Sequence, residues 1–189
     1  MLDELRDKIK NKKLILFGET HGTGEIPKML SKFFSELAKH EDFNLCLEIP
    51  EELQNTEPNK IITRAKEIGT QGLISEEYVK LIKKIPTGVN VFFIAPNTIK
   101  NQEDAEIKLS NNILKVLNNK KTFAVMGSVH ASKKEIRVHN QKILPAGLLI
   151  HKKLKNKLFS VLLTTKTSNN GLKKTKGQFE KGFDHVISF

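Results

Sequence analysis

The chain has 189 residues, of which 38% are hydrophobic and 28% charged, and this predicts one domain with a sizeable core. No apolar run approaches the roughly 20 residues of a membrane-spanning helix. The formal net charge of +11 allows an anionic partner, but the scattered lysines, single tyrosine and absent tryptophan argue against nucleic-acid binding, which uses aromatic stacking surfaces. The one cysteine, Cys46, excludes an internal disulfide, and the absence of a signal-peptide pattern predicts a cytoplasmic location.

Apolar periodicity predicts alternating helices and strands through residue 130. The helix at 26–40 rests on apolar residues spaced three and four apart, with Pro27 suited to its first turn, and Ser75 is a typical cap for another helix. The predicted elements are a polar helix at 2–12, strands at 14–17, 44–49, 89–95 and 122–126, and helices at 26–40, 61–68, 75–85 and 105–117.

The last third of the chain has a different pattern. Residues 142–151 and 158–165 are interpreted as strands joined by a basic turn, which predicts an antiparallel pair. The tail at 166–189 is polar and basic apart from an apolar element at 185–189. Together the elements predict a single α/β domain over residues 1–189, with a mostly parallel central sheet, helices on both faces and an antiparallel C-terminal extension.

Polar side chains follow three of the predicted strands. The segment 18–25 reads Gly-Glu-Thr-His-Gly-Thr-Gly-Glu and follows the first strand, so that Glu19 and His21 stand where a strand gives way to a helix. Glu48 lies near the end of the second strand, and Gly127 and His130 follow the fourth. Because the carboxyl ends of parallel strands meet at one edge of a sheet, these four titratable residues are expected to form one site.

Each of these residues also has a structural interpretation. Glu19 could cap the following helix, and His21 could be a loop histidine whose hydrogen bonds are satisfied locally. Glu48 could form a structural salt bridge, and His130 could cap a strand end. Glu25 could orient His21 or place a negative charge at the helix N-terminus, and the sequence leaves both roles open. Four other histidines have no comparable context and are predicted to lie at the surface or at edges: His40, His139, His151 and His185.

Three short motifs carry a resemblance to a known superfamily. The segment 18–27 matches GE-x-HG-x-x-E-x-P, the second strand ends Leu-Glu-Ile-Pro at 47–50, and residues 127–131 match G-x-x-H-A. In this order, over about residues 12–150, they resemble the superfamily of erythromycin esterases, ChaN-type haem-binding proteins and Tiki proteases. The resemblance is closer to the small uncharacterised members of that superfamily than to the antibiotic esterases.

The resemblance implies roles for individual residues. In the esterase branch His21 would be the general base that activates water, Glu48 would orient that water, and Glu19 and His130 would complete the catalytic site. Relatives often carry an Arg-Asp pair at the start of a helix, whereas this chain has Ala105 and Glu106. Glu106, like Glu25, is therefore a candidate for substrate binding or for support of the catalytic groups. The short chain also predicts that the helical substrate lid of the antibiotic esterases is missing.

The leading functional hypothesis is hydrolysis of an ester or related bond in a small-molecule substrate, which could be anionic, without a cofactor. Histidine suits the role of base near neutral pH, and the chain has no G-x-S-x-G nucleophile motif. The Tiki branch implies instead a hydrolase that uses a divalent metal such as Zn, Mn or Co. The ChaN branch implies haem or iron binding without catalysis, for which Tyr78 is the only tyrosine available as a ligand.

Overall fold

The structure is a computed structural model that describes residues 2–70, 74–138, 141–165 and 180–188. The helices of these ranges are α1 (Leu2–Ile9), α2 (Glu25–Leu37), α3 (Ile61–Glu67), α4 (Glu76–Lys83), α5 (Gln102–Val116), α6 (Ser128–Ala131) and α7 (Ala146–Leu154). The strands are β1 (Leu14–Glu19), β2 (Phe43–Pro50), β3 (Asn90–Ala95), β4 (Lys121–Gly127), β5 (Ile136–Val138), β6 (Gln141–Ile143), β7 (Leu158–Thr164) and β8 (His185–Ser188).

Six strands form the central sheet in the order β3-β2-β4-β1-β7-β8, and every neighbouring pair is parallel. A separate antiparallel hairpin pairs β5 with β6. The α/β class predicted from the sequence is confirmed. β4 lies between β1 and β2, and the chain then forms β7 on the other side of β1. The strand order therefore reverses beside β1. Open α/β sheets bind ligands in the crevice at such a reversal.

Alternating side chains of the strands build a core on each face of the sheet. Ile15 and Phe17 of β1 pack on the face covered by α1 to α4, whereas Leu14 and Leu16 pack on the face covered by α5, α6 and α7. The first face contains an aromatic cluster whose ring centroids lie 5.2–6.2 Å apart, formed by Phe17, Phe33, Phe34, Phe43 and Phe123. Burial of each such ring contributes about 1.5–3 kcal/mol, so this cluster anchors the central strands.

The elements predicted through residue 130 are present, with ends that differ by a few residues. α4 begins where the sequence predicts, because the Ser75 hydroxyl accepts a hydrogen bond from the Tyr78 backbone N–H at 3.3 Å. Cys46 is fully buried, and burial raises the pKa of its thiol to about 12, so the thiol stays protonated and unreactive near neutral pH. None of the helices in the described ranges is long and apolar enough to cross a bilayer.

The prediction for residues 142–165 was wrong in two respects. Only Gln141–Ile143 of the first segment is extended, and Ala146–Leu154 is helix α7, with Pro145 at its N-cap. Residues 143–150 are all apolar, so periodicity cannot separate a buried strand from a buried helix there. The second segment is a strand, Leu158–Thr164, but it pairs in parallel with β1, because the intervening helix returns the chain to the same end of the sheet.

The C-terminal predictions are only partly covered by the structure. β8 at His185–Ser188 confirms the last apolar element, whereas residues 166–179 lie outside the described residues. Of the four histidines predicted at the surface or at edges, His40 is exposed, and His151 and His185 are half-buried. His139 lies outside the described residues.

Candidate functional site

The carboxyl ends of the adjacent strands β1, β4 and β2 carry the candidate residues. Glu19 ends β1 and is paired with Gly127, the last residue of β4. His21 follows in the loop before α2, and His130 lies in the single-turn helix α6 that continues from β4. The parallel sheet thus brings together residues that are far apart in sequence.

Glu48 reaches this edge from β2. Leu47 and Ile49 belong to the core on one face of the sheet and Cys46 to the core on the other, so strand alternation places Glu48 on the same face as Cys46. The register between β2 and β3 shifts between Leu47 and Pro50, and the pairing of β2 with β4 ends at Leu47. Just beyond that point the carboxylate of Glu48 reaches across to β4, where its Oε2 accepts a hydrogen bond of 2.6 Å from the Gly127 N–H.

Five side chains form an alternating acid–histidine series, in the order Glu19, His21, Glu48, His130 and Glu106. Glu19 Oε1 lies 3.1 Å from His21 Nδ1, and His21 Nε2 lies 3.7 Å from Glu48 Oε2. The other carboxylate oxygen of Glu48 lies 3.4 Å from His130 Nε2. His130 Nδ1 lies 2.8 Å from Glu106 Oε1. Glu48 therefore stands between two imidazoles, each of which has a second carboxylate behind it.

Exposure divides the series into groups that solvent can reach and groups that support them. The side chains of His21 and His130 are 28% and 22% exposed, and that of Glu48 is 10% exposed. Glu19 and Glu106 are only 2% and 1% exposed. Solvent therefore reaches the two imidazoles and the edge of Glu48, whereas Glu19 and Glu106 are shielded from it and contact the histidines.

The buried carboxylate of Glu106 is well compensated. It shares the buried face of α5 with Leu109 and Ile113, and a charge in such a position needs hydrogen-bond partners. Oε2 accepts from the Ala146 backbone N–H at the start of α7 at 2.8 Å, and Oε1 accepts from Gln102 Nε2 at 2.6 Å. These contacts hold the Glu106 carboxylate in place beside His130.

The carboxylates raise the pKa values of both histidines. The hydrogen bond to Glu19 raises the pKa of His21 above 6.5 against the opposing effect of burial. Burial also opposes protonation of His130, but the hydrogen bond to Glu106 and the charge of Glu48 outweigh it and raise the pKa to about 9. His130 is therefore a cation at neutral pH, and His21 is a stronger base than a free imidazole.

Gly127 permits this close packing. A Cβ atom at this position would lie 3.0 Å from His21 Nε2 and 3.4 Å from His130 Cδ2. Its φ of −54° is open to any residue, so the requirement for glycine comes from space and not from the backbone. The glycine of the G-x-x-H-A motif therefore makes room for both imidazoles.

Tyr78 is a neighbour of the site, and the sequence suggests a role for it only as a haem ligand. It lies on the inner face of α4, and burial together with the charges of Glu19 and Glu48 raises its pKa well above 10. No hydrogen bond of standard geometry links its hydroxyl to Glu19, whose buried Oε2 has no hydrogen-bond partner among the described residues. The cap at Ser75 predicts the helix that carries Tyr78, but not which face of that helix is buried.

Glu25 is the one candidate that the structure keeps apart from the series. It is exposed in the first turn of α2, and no hydrogen bond or ion pair with His21 exists in the described part of the chain. Its position corresponds to the alternative role, a negative charge at a helix N-terminus.

The donor groups do not fit the metal or haem alternatives as they are arranged. Within the described ranges, no group of three or more His, Cys, Asp or Glu side chains could hold a metal ion. Each ring nitrogen of His21 and His130 faces a carboxylate. Tyr78 is buried and its raised pKa keeps it a neutral phenol, which is a poor ligand for haem iron.

Comparisons with known proteins identify the fold. No protein-family model and no curated protein sequence matches the chain. A structure from Bacillus cereus has a TM-score of 0.65 at 12% identity, over 87% of this chain and 68% of that one. The type III effector HopBA1 has a TM-score of 0.53 at 13% identity, over 90% and 84%. A structure described as bacterial protein toxins has a TM-score of 0.54 at 14% identity, over 85% of this chain. This chain spans about a third (36%) of the length of that protein.

Proposed function

We propose that this chain is a hydrolase of the erythromycin esterase-like superfamily that activates water with its acid–histidine series. The observation that carries the proposal is the pair of half-exposed imidazoles, His21 and His130, each backed by a buried carboxylate and joined through Glu48. The sequence-based expectation of a cytoplasmic enzyme with a small-molecule substrate is part of this proposal.

His21 is the proposed general base. A carboxylate at Nδ1, here Glu19 at 3.1 Å, orients the ring, fixes its tautomer and stabilises the imidazolium that forms. Nε2 then accepts the proton of a water molecule held beside Glu48. The raised pKa strengthens the base, and proton transfer by a positioned side chain contributes about 10²–10⁴-fold to a rate.

His130 is the proposed electrophilic partner. Because its pKa is about 9, it presents an imidazolium at neutral pH. As the water oxygen bonds to the substrate carbonyl carbon, negative charge develops on the carbonyl oxygen, and a nearby cation stabilises it. When the bond to the leaving oxygen breaks, that oxygen takes the proton held by His21. Water and ester are thereby converted into acid and alcohol.

The experiment is a hydrolysis screen over esters, lactones, phosphoesters and peptides, with and without a chelator. Wild type and His21→Ala are compared after both have been shown to be folded by circular dichroism. Turnover by the wild type, insensitive to the chelator and lost in His21→Ala, supports the proposal. Undiminished turnover in His21→Ala contradicts the assigned base, and activity that needs added Zn²⁺, Mn²⁺ or Co²⁺ favours the metal-dependent hydrolase instead.

A further inference from the structure

A groove of about 450 Å³ separates the first two turns of α2 from α4. Pro27 and Leu81 form its apolar base, and both are buried. Four lysines dominate its polar lining: Lys28, Lys32, Lys80 and Lys84. We call this surface the lysine groove. Ser31 and Glu77 complete the polar groups.

The positive charge of the lysine groove is only partly balanced. Lys80 pairs with the single carboxylate, that of Glu77, at 3.0 Å. Lys28, Lys32 and Lys84 form no ion pair within the described part of the chain. Three ammonium groups thus share one concave surface without a bound counter-charge from the protein.

The spacing of the lysines adds to this imbalance. Lys28 and Lys32 are four residues apart on α2, and Lys80 of α4 is four residues from Lys84, which caps the C-terminus of that helix. Like charges at this spacing lie on the same side of a helix and destabilise it. An anion in the groove would relieve the repulsion within each helix and between the two helices.

One end of the lysine groove lies near the loop that carries His21. A Cβ atom on Gly24, the last residue of that loop, would lie 3.4 Å from Glu77 Cγ. Three residues of extended chain span at most about 11 Å, which bounds the distance from Gly24 to His21. The residue after Glu77 is Tyr78, whose phenol is influenced by the charge of Glu19. The acid–histidine series does not line the groove, so a substrate held there must extend past Gly24 to reach it.

We propose that the lysine groove binds the phosphate groups of a small phosphorylated substrate whose reactive bond is cleaved by the acid–histidine series. This assignment of the ligand as substrate rests on the proposed function. Ammonium groups are compact charges that bind phosphate oxygens, and three unpaired ones match a polyanion better than a single carboxylate. The volume lies within the usual range of small-ligand sites. No aromatic side chain is among the residues that line the groove, so a nucleic-acid strand has no surface for base stacking.

Calorimetric titration with inorganic tripolyphosphate tests the site directly. We expect the wild type to bind, and Lys28→Gln/Lys84→Gln to bind at least tenfold more weakly. The control Lys115→Gln/Lys153→Gln removes the same charge from a second lysine-rich depression, between α5 and α7, and should change binding less than twofold. Equal weakening in both double variants, or no binding by the wild type, would overturn the proposal. Binding of a 12-nucleotide RNA without binding of tripolyphosphate would overturn it as well.

A third variant separates this proposal from the proposed function. His21→Ala should bind tripolyphosphate as the wild type does while losing hydrolysis. If tripolyphosphate binds but no substrate is hydrolysed, the anion site stands and the hydrolase proposal fails. If hydrolysis is found and Lys28→Gln/Lys84→Gln hydrolyses its substrate with an unchanged KM, the hydrolase stands and the groove has no role in substrate binding.

Discussion

Glu106 Oε1 lies 2.8 Å from His130 Nδ1, so a buried carboxylate on α5 holds a half-exposed imidazole on α6. The carboxylate is itself held by the first N–H of α7. Three helices on one face of the sheet thus determine where one histidine of the site points and how readily it is protonated.

Replacing Glu106 by glutamine tests this support. Glu106→Gln keeps the size of the side chain but removes the charge, so the pKa of His130 should fall from about 9 toward 6.5. A hydrogen bond to a charged group contributes about 1.5–3 kcal/mol, which corresponds to a loss of roughly 10- to 150-fold in kcat. NMR titration of the His130 ring and steady-state kinetics measure the two effects. Glu103→Gln, exposed on the same helix, is the control and should leave both unchanged.

The pH dependence of hydrolysis should be bell-shaped. The general base His21 must be neutral, so kcat/KM rises with pH through a pKa above 6.5. The partner His130 must be protonated, so kcat/KM falls again as pH passes about 9. Rates measured from pH 5 to pH 10.5 test both limbs. An alkaline limb that persists at the same pH in His130→Asn would show that another group is responsible.

Stability should fall at high pH because of His130. The raised pKa means that protonated His130 stabilises the fold fully below pH 6.5, and that this contribution is lost as pH rises through about 9. A shift of this size corresponds to about 3 kcal/mol at most. Urea unfolding at pH 6 and pH 10 should therefore show a larger drop in the free energy of unfolding for the wild type than for His130→Asn. Equal drops in the free energy of unfolding would mean that folding does not raise the pKa of His130.

Gly127→Ala should damage catalysis more than stability. The added methyl would lie 3.0 Å from His21 Nε2, so the ring must shift by a few tenths of an ångström away from Glu48. Displacements of catalytic groups reduce rates by up to about 100-fold, so we expect a 10- to 100-fold lower kcat with a nearly unchanged melting temperature. Gly24→Ala is a suitable control, because its Cβ would meet Glu77 Cγ at 3.4 Å, an ordinary contact.

The convergence of Glu19, His21, Glu48 and His130 could be predicted because it depends only on the strand pattern and on the parallel order of the strands. Each of these residues lies near or just after the end of a strand, and the parallel sheet places those strand ends side by side. Glu106 has no such local signal. It stands in the middle of a helical pattern, and only the resemblance to the superfamily pointed to it.

Features that depend on packing between distant elements were not predictable in this way. The first five residues of the helix Ala146–Leu154 are all apolar, so their periodicity does not distinguish a helix from a buried strand. The hydrogen bond from Gly127 to Glu48 and the influence of Glu19 on Tyr78 also depend on which elements are neighbours. The lysine groove is a further example, because two of its lysines belong to α2 and the other two to α4 and its C-cap.

The insertion of β4 between β1 and β2 has a consequence for how the site comes into being. Gly127 and Glu48 are 79 residues apart, yet the Gly127 N–H is the donor that holds the central carboxylate. A chain that ends before β4 would contain Glu19, His21 and Glu48, but it would lack the strand that pairs with both β1 and β2. Contacts of such high sequence separation form slowly in folding. Catalytic competence would therefore arise only when the central sheet closes, so that activity reports on complete folding of the chain and not on the presence of its first motif.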